Sequence, residues 1–439
     1  METILIKAAQ LILSLSILVI VHEFGHFIFA KLFKVRVEKF YLFFNPWFTL
    51  FKFKPKGSET EYGIGWLPLG GYVKISGMID ESMDKEAMAQ PPQPWEFRTK
   101  PAWQRLLIMV GGVLMNFLLA FFIYAMMVFA WGEEYLPIKN VTMGYAFNEA
   151  TKKAGFQDGD IPLTADGVPL EKMNGKTLFA IVEAKEITVL RNGSATTINL
   201  PADFNKIVFE KDPNFIERYP FVIKKVQNGT PAKKAGLEDG DSIVGVAGQA
   251  MVAYELQQAF LQNKEKEIAL DIYRNNRPME VKITPSDAGK IGVEMKSPYL
   301  IYETVKTKYS FFSAFPAGVR IGIQTIKSYV AQFKYIFTKE GAQSLGGFGA
   351  IGNLFPSKWS WPAFWEMTAF LSIILGVMNL LPIPALDGGH VMFLLYEVIS
   401  GRKPNEKFME YAQIVGMFFL LALLIYANGN DIFRAFFKN

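Results

Sequence analysis

Residues 4–33 form an apolar run long enough to cross a bilayer as a helix, yet it carries His22, Glu23 and His26 inside a window of five residues. An ionisable side chain at the bilayer centre costs on the order of 2.5–3.5 kcal/mol, so residues of this kind need partners and mark functional sites. On a helix, positions i and i+4 lie one turn apart on the same face, and His22 and His26 therefore face one way. Glu23 is turned off that line. The spacing is that of a zinc-binding helix. Two imidazoles reach one ion at ~2.0–2.1 Å, while the glutamate does not ligate but takes a proton from water at the metal. A signal peptide is the competing reading of an apolar N-terminus. No small-residue cleavage site interrupts the run, so it reads as a retained span.

The remaining composition fits a membrane core joined to water-facing modules. Hydrophobic residues make up 51% and charged residues 20% of the 439, with greasy ends and a charged middle. A net charge of +5 without a long basic run gives no reason to expect a nucleic-acid partner. The chain has no cysteine, which excludes disulfides and thiolate zinc ligands. Its third and last histidine is His390, in another apolar segment near the opposite end. The site is therefore expected to draw on both ends of the chain.

Lys31, Lys34, Arg36 and Lys39 cluster at the end of the first run, a flank that the positive-inside rule puts in the cytoplasm. A second span is expected over 106–131, with Gly111, Gly112 and Asn116 inside it. A third begins near Trp359, Trp361 and Trp365, runs through 371–381 and breaks at Asn379-Leu380-Leu381-Pro382-Ile383-Pro384-Ala385-Leu386-Asp387-Gly388-Gly389-His390. Two prolines so placed cannot continue a helix, and irregular backbone at membrane depth is tolerated only around a protein-lined cavity. Arg402, Lys403 and Lys407 mark a second cytoplasmic flank before a fourth span at 408–426. Four spans leave both termini outside.

Between the spans, Glu61 to Ile75 is rich in glycine and β-formers and reads as a hairpin or re-entrant strand pair. Such a strand suits a substrate held extended by strand addition. From 132 to 297 the chain is charged and repeats itself. Ala154-Gly155-Phe156-Gln157-Asp158-Gly159-Asp160 recurs as Ala235-Gly236-Leu237-Glu238-Asp239-Gly240-Asp241, which predicts two tandem β-rich modules. An amphipathic helix is expected over 310–337, lying at the outer membrane boundary or bracing the modules. A Gly-rich stretch follows at 341–352.

A catalytic zinc takes three protein ligands. Asp387 follows the break directly and precedes two glycines that let the backbone approach closely, so it is the preferred third ligand, with His390 as the alternative. Glu366 lies near the outer end of the third span, and Glu397 lies beyond the break. Asn379 either meets a substrate backbone or caps the broken helix.

The His-Glu-x-x-His span, the Gly70-Gly71-Tyr72-Val73-Lys74 strand, the two repeats and the Asn-x-x-Pro-x-Pro-x-Leu-Asp-Gly segment together resemble the site-2 family of intramembrane zinc metalloproteases. The likeness is strongest to its bacterial members with tandem PDZ modules. It implies a polytopic α-helical protein of four transmembrane helices with a membrane-associated β-hairpin loop and two inserted PDZ-like domains. It implies Zn2+ bound by His22, His26 and Asp387, with Glu23 as catalytic base. It also implies substrate-binding roles for Asn379, Pro382, Pro384, Gly70, Gly71 and Tyr72. The implied location is the bacterial inner membrane, with termini and PDZ domains outside and the active site toward the cytoplasmic side. The implied substrates are single-pass membrane proteins already trimmed outside, of the anti-sigma-factor type, which the PDZ pair screens. Remnant signal peptides are a second substrate class for the same chemistry. The expected layout is 1–36, 37–97 and 98–131 for the first two spans and their loop, then 132–220 and 221–297 for the modules. The connector at 298–362, the broken span at 363–400 and the last span with its tail at 401–439 complete it. Ile161-Pro162-Leu163 departs from the PDZ pattern, the proline being expected to interrupt a strand of the first module. A membrane-anchored PDZ scaffold with a dead metal motif would lack the base or a ligand, and here neither is missing.

Overall fold

The computed structural model describes residues 2–68, 70–78, 90–208, 214–336 and 346–437. The chain divides into two compact units, Met1–Gly132 with Lys308–Asn439, and Glu133–Thr307.

The first unit is built on long apolar helices. Among the described residues, four helices are long and apolar enough to cross a membrane. They are α1 (Glu2–Leu32), α2 (Ala102–Trp131), a helix here labelled α4 (Trp361–Leu380) and most of α6 (Glu406–Phe437). The amphipathic pattern becomes α3 (Phe311–Ile336), and α5 (Asp387–Ser400) follows α4. Glycines set the spacings. Gly25 of α1 meets the Gly111 backbone of α2, so closely that a Cβ on Gly111 would lie 2.6 Å from the Gly25 carbonyl oxygen. This is the small-residue contact that lets apolar helices approach without a hydrophobic driving force. Gly318 and Gly322 do the same for α3, against Ala125 and Phe121 of α2. The described part of the Gly-rich stretch forms a short helix, Phe348–Asn353, while 341–345 lies outside the described residues.

The chain between α1 and α2 folds into a mixed sheet of β1 (Val37–Leu42), β2 (Phe44–Phe53), β3 (Glu61–Leu67) and β4 (Tyr72–Ile75), in the order β2-β3-β1-β4. This corrects the expected pairing. β3 and β4 are not partners: β1 lies between them, parallel to β3 and antiparallel to β4. The hairpin is β2–β3 instead. The strand Val37–Leu42 sits so close to the end of α1 that the sequence pattern alone gives no sign of its insertion. β4 is left as an edge.

The second unit holds two β-rich modules with separate cores. One packs Phe147, Phe156, Ile181, Val189 and Phe204; the other packs Phe221, Leu237, Leu256, Phe260 and Leu270. Their sheets contain β6 (Ile161–Ala165), β7 (Val168–Pro169), β8 (Glu186–Arg191) and β9 (Ser194–Asn199), preceded by β5 (Tyr145–Ala146), and then β10 (Phe221–Val226), β11 (Ser242–Val246), β12 (Ile268–Arg274), β13 (Arg277–Ile283) and β14 (Val293–Met295). The orders are β9-β8-β6-β7 and β13-β12-β11-β10-β14. The sequence repeat has a structural meaning. Asp160 accepts two hydrogen bonds from Arg191, and Asp241 accepts two from Arg274, at 2.7–2.8 Å in both modules. Each arginine also donates to the main chain one turn away, at Gly155 and Gly236. A bidentate pair of this kind fixes a tight turn to the neighbouring strand. Pro162 does not interrupt β6, which runs through it and pairs with β8. It stands where the second module has Ile243, the residue through which β11 pairs with β10. Proline offers no N–H to a further strand, so the contact with β5 stops short of it, at the bonds of Tyr145 with Gly159 and Asp160, and β5 pairs on with Ile216–Glu217.

Candidate metal centre

His22 and His26 emerge from α1 toward α2, and both are buried. Gly112 of α2 makes room for them. A Cβ there would lie 2.7 Å from His22 Cε1 and closer still to His26 Nε2. From the other end of the chain, Asp387 opens α5 immediately after the break. The break runs from Leu381 to Leu386, with Ala385 at φ 76°, a left-handed backbone that a residue bearing a Cβ adopts only under constraint. Gly389 presses on it so tightly that a Cβ would lie 2.7 Å from the Pro384 Cα, and a Cβ on Gly388 would overlap the Leu381 carbonyl. These two glycines are what carry Asp387 inward.

Three atoms converge as a result. His22 Nε2 and His26 Nε2 lie 3.2 Å apart, and Asp387 Oδ2 lies 3.2 Å from the first and 3.3 Å from the second. Ligands at ~2.0–2.1 Å from a tetrahedral ion are separated by ~3.3 Å, the edge of the tetrahedron. The triangle matches that edge. Its proton inventory also calls for a cation. His26 Nδ1 lies 2.9 Å from the Ile108 carbonyl, which only accepts, so the ring proton is on Nδ1 and Nε2 presents a lone pair. Asp387 Oδ2 is buried with no hydrogen-bond donor. Lone pairs aimed at one another in an apolar interior are stabilised by a metal ion. Among the described residues, this is the one group of three acidic or imidazole side chains with ligand atoms close enough to share an ion.

The other residues singled out by sequence fall around this triangle. Glu23 is half-buried on the adjoining face of α1. Gly71 lies against it: a Cβ there would be 3.5 Å from Glu23 Cγ and 2.6 Å from both Val19 Cγ1 and the Tyr41 carbonyl oxygen. The start of β4 is thereby held beside Glu23. Gly70 precedes it, with the Phe44 ring 2.8 Å from where its Cβ would be. The Tyr72 ring stacks on Tyr41 and Phe44 and its hydroxyl donates to Asn45, so its side chain braces the sheet. Tyr41 in turn donates to Glu61 at 2.6 Å, and burial together with that bond pushes its phenol up to about 12, keeping it a donor. Asn379 Nδ2 comes within 3.4 Å of His22 Nε2 from the end of α4. Pro382 is exposed, and Pro384 packs under Gly416 of α6, which has no Cβ to collide with its carbonyl. His390 points elsewhere: its Nε2 lies 2.8 Å from the Gln413 amide. Two contributors were not legible as such in the sequence. Gly112 reads like any helix-packing glycine, and Asn116, whose amide lies 3.0 Å from His22 Nδ1, is signalled only as a polar residue inside an apolar span.

Comparison with known proteins agrees with this chemistry. The family model described as Peptidase family M50 matches residues 10–423. The chain is 30% identical to Protease RseP of Yersinia pestis over 99% of this chain and 100% of that protein. It is also 30% identical to Regulator of sigma-E protease RseP of Escherichia coli K12, over 97% and 98%. A protein of Ralstonia nicotianae whose name classes it as a zinc metalloprotease is 27% identical over 97% and 98%. With a metal-shaped triangle of two histidines and an aspartate lodged among apolar helices, and a match spanning almost the whole chain, this protein belongs to peptidase family M50 and is a zinc metalloprotease.

Proposed function

We propose that the chain is an intramembrane protease that cuts peptide bonds within transmembrane segments of single-pass proteins already trimmed outside the membrane. The observation that carries this reading is the position of the triangle: its ligand atoms, 3.2–3.3 Å apart, belong to α1 and the start of α5, in a unit built of membrane-length helices. His22, His26 and Asp387 hold the zinc, which when bound supplies a Lewis acid that acidifies water toward a pKa of ~7 and polarises a carbonyl. Glu23 accepts the proton of the attacking water and returns it to the leaving amine, the work of a general base and then acid. A substrate helix hides its carbonyls in its own hydrogen bonds and must unwind before it is cut. The outer edge of β4, which follows Gly71 beside Glu23, receives it as an added strand. Asn379 and the chain at Pro382 and Pro384 hold the other side.

The Escherichia coli relative is named as a regulator of sigma-E, which favours anti-sigma-factor-type substrates and a role in an envelope stress response at the inner membrane. Remnant signal peptides offer the same single apolar segment. The duplicated turn of the two modules, each fixed by an Asp–Arg pair, supports reading 132–220 and 221–297 as PDZ-like domains that screen substrates outside the membrane. The test is mass spectrometry of products from a trimmed single-pass substrate. The reading requires a scissile bond inside the apolar segment, and cuts confined to flanking polar sequence would refute it.

A further inference from the structure

Asn116 lies fully buried in the middle of α2, and Ser372 Oγ holds its main-chain carbonyl at 2.8 Å. Its side-chain amide reaches His22 Nδ1 at 3.0 Å. In the structure Nδ2 faces the ring and Oδ1 is buried with no partner. The two ends of an amide are assigned from their surroundings, and here the surroundings favour the opposite assignment. His22 turns Nε2 toward His26 and Asp387, so once that lone pair serves a metal the single ring proton must sit on Nδ1. A protonated Nδ1 only donates, and the sole acceptor that the Asn116 side chain has is Oδ1.

We propose that Asn116 is a positioning residue of the metal centre, its Oδ1 accepting a hydrogen bond from His22 Nδ1–H and so fixing that ring's tautomer and orientation. It does for His22 what the Ile108 carbonyl does for His26. Both anchors lie on α2, two turns apart, and Gly112 between them leaves space for the rings. Partners of this kind orient the ligating imidazoles and raise their basicity, and their loss typically weakens metal affinity 10–100-fold. The inference rests on His22, His26 and Asp387 being the zinc ligands.

The experiment measures zinc affinity by chelator competition, together with the rise in melting temperature on adding zinc, in full-length wild type, Asn116→Leu, Asn116→Asp and Asp387→Ala. Leucine matches the side chain in size but offers no acceptor, whereas aspartate keeps one in the same place. Asn116→Leu is expected to lose 10–100-fold in affinity and most of the zinc-induced stabilisation, with its metal-free melting temperature as the control for folding. Asn116→Asp is expected to stay within about threefold of wild type, since it still accepts from Nδ1–H. Wild-type affinity in Asn116→Leu would overturn the proposal. So would an Asn116→Asp variant as weak as the leucine variant, which would make the amide a donor. If Asp387→Ala keeps its zinc, the ligand assignment itself fails, and that outcome is distinct from the other two.

Discussion

At Gly112 the chain comes so close to its own imidazoles that one methyl group decides whether they can meet. Gly112→Ala would place a Cβ 2.7 Å from His22 Cε1, and neither ring has free space on its other side because Asp387 and the partner ring are there. The expected outcome is a zinc content well below one per chain, with helix content by circular dichroism unchanged. Retention of full zinc would show that the rings can move aside. The contrast with Glu23 is informative. That residue is not one of the three whose ligand atoms converge, and Glu23→Gln should lower cleavage by a factor on the order of 10²–10⁴ while leaving zinc bound. The two histidines of the convergent group were legible because such residue types are so costly in an apolar run, and Asp387 because it follows the break and precedes two glycines. Gly112 was not, since a glycine in a span has many ordinary uses. Asn116 was visible as polar but not as a neighbour of His22, because the contact spans 94 residues and depends on how α1 and α2 cross.

Among the elements, the break after α4 could be read from two prolines, and its closing aspartate from the glycines behind it. The sheet at 37–75 could not be read in full. A strand's partner depends on the whole register, and β1 slips between β3 and β4 from a position directly after α1. In the second module, one buried carboxylate makes a separate prediction. Burial alone would raise the Asp241 carboxyl, but the Arg274 guanidinium and the turn's main-chain N–H hold it below the ordinary range. A depressed folded value means that its contribution is fully present above the unfolded pKa of ~3.9 and is lost as pH falls through the lower folded value. Amide protection across β10–β12 in the full-length protein should therefore be steady from pH 7 to about 5 and fall below about 4. Asp241→Ala should cost about 1–3 kcal/mol at neutral pH, because it leaves the Glu238 N–H of the buried turn without its acceptor, while Arg274 keeps the Gly236 carbonyl and Glu238. Equal protection at pH 3 and 7 would count against this. The Pro162 position carries a lesson of another kind: proline is compatible with the strand itself and removes only the next pairing.

For the whole molecule, we propose from the positive-inside rule, applied to the basic clusters at 31–39 and 402–407, that the β1–β4 sheet faces the cytoplasm and the two modules the outside. The absence of cysteine makes this easy to test by single substitutions. Lys56→Cys, on the exposed link between β2 and β3, should react with an impermeant maleimide only after the cytoplasmic side is opened. Ser194→Cys, at the exposed start of β9, should react in intact spheroplasts. The reverse pattern would invert the topology. What unites the scales is that the site belongs to both ends of the chain, with Asp387 some 360 residues from the histidines it joins. The most direct measurement is zinc per chain alongside cleavage of a trimmed single-pass substrate in wild type, Glu23→Gln and Asp387→Ala. Wild type should hold one zinc and cut, Glu23→Gln should hold one zinc without cutting, and Asp387→Ala should lose both metal and cleavage. An Asp387→Ala protein that keeps its zinc and its activity would contradict the assembly of the site from α1 and α5.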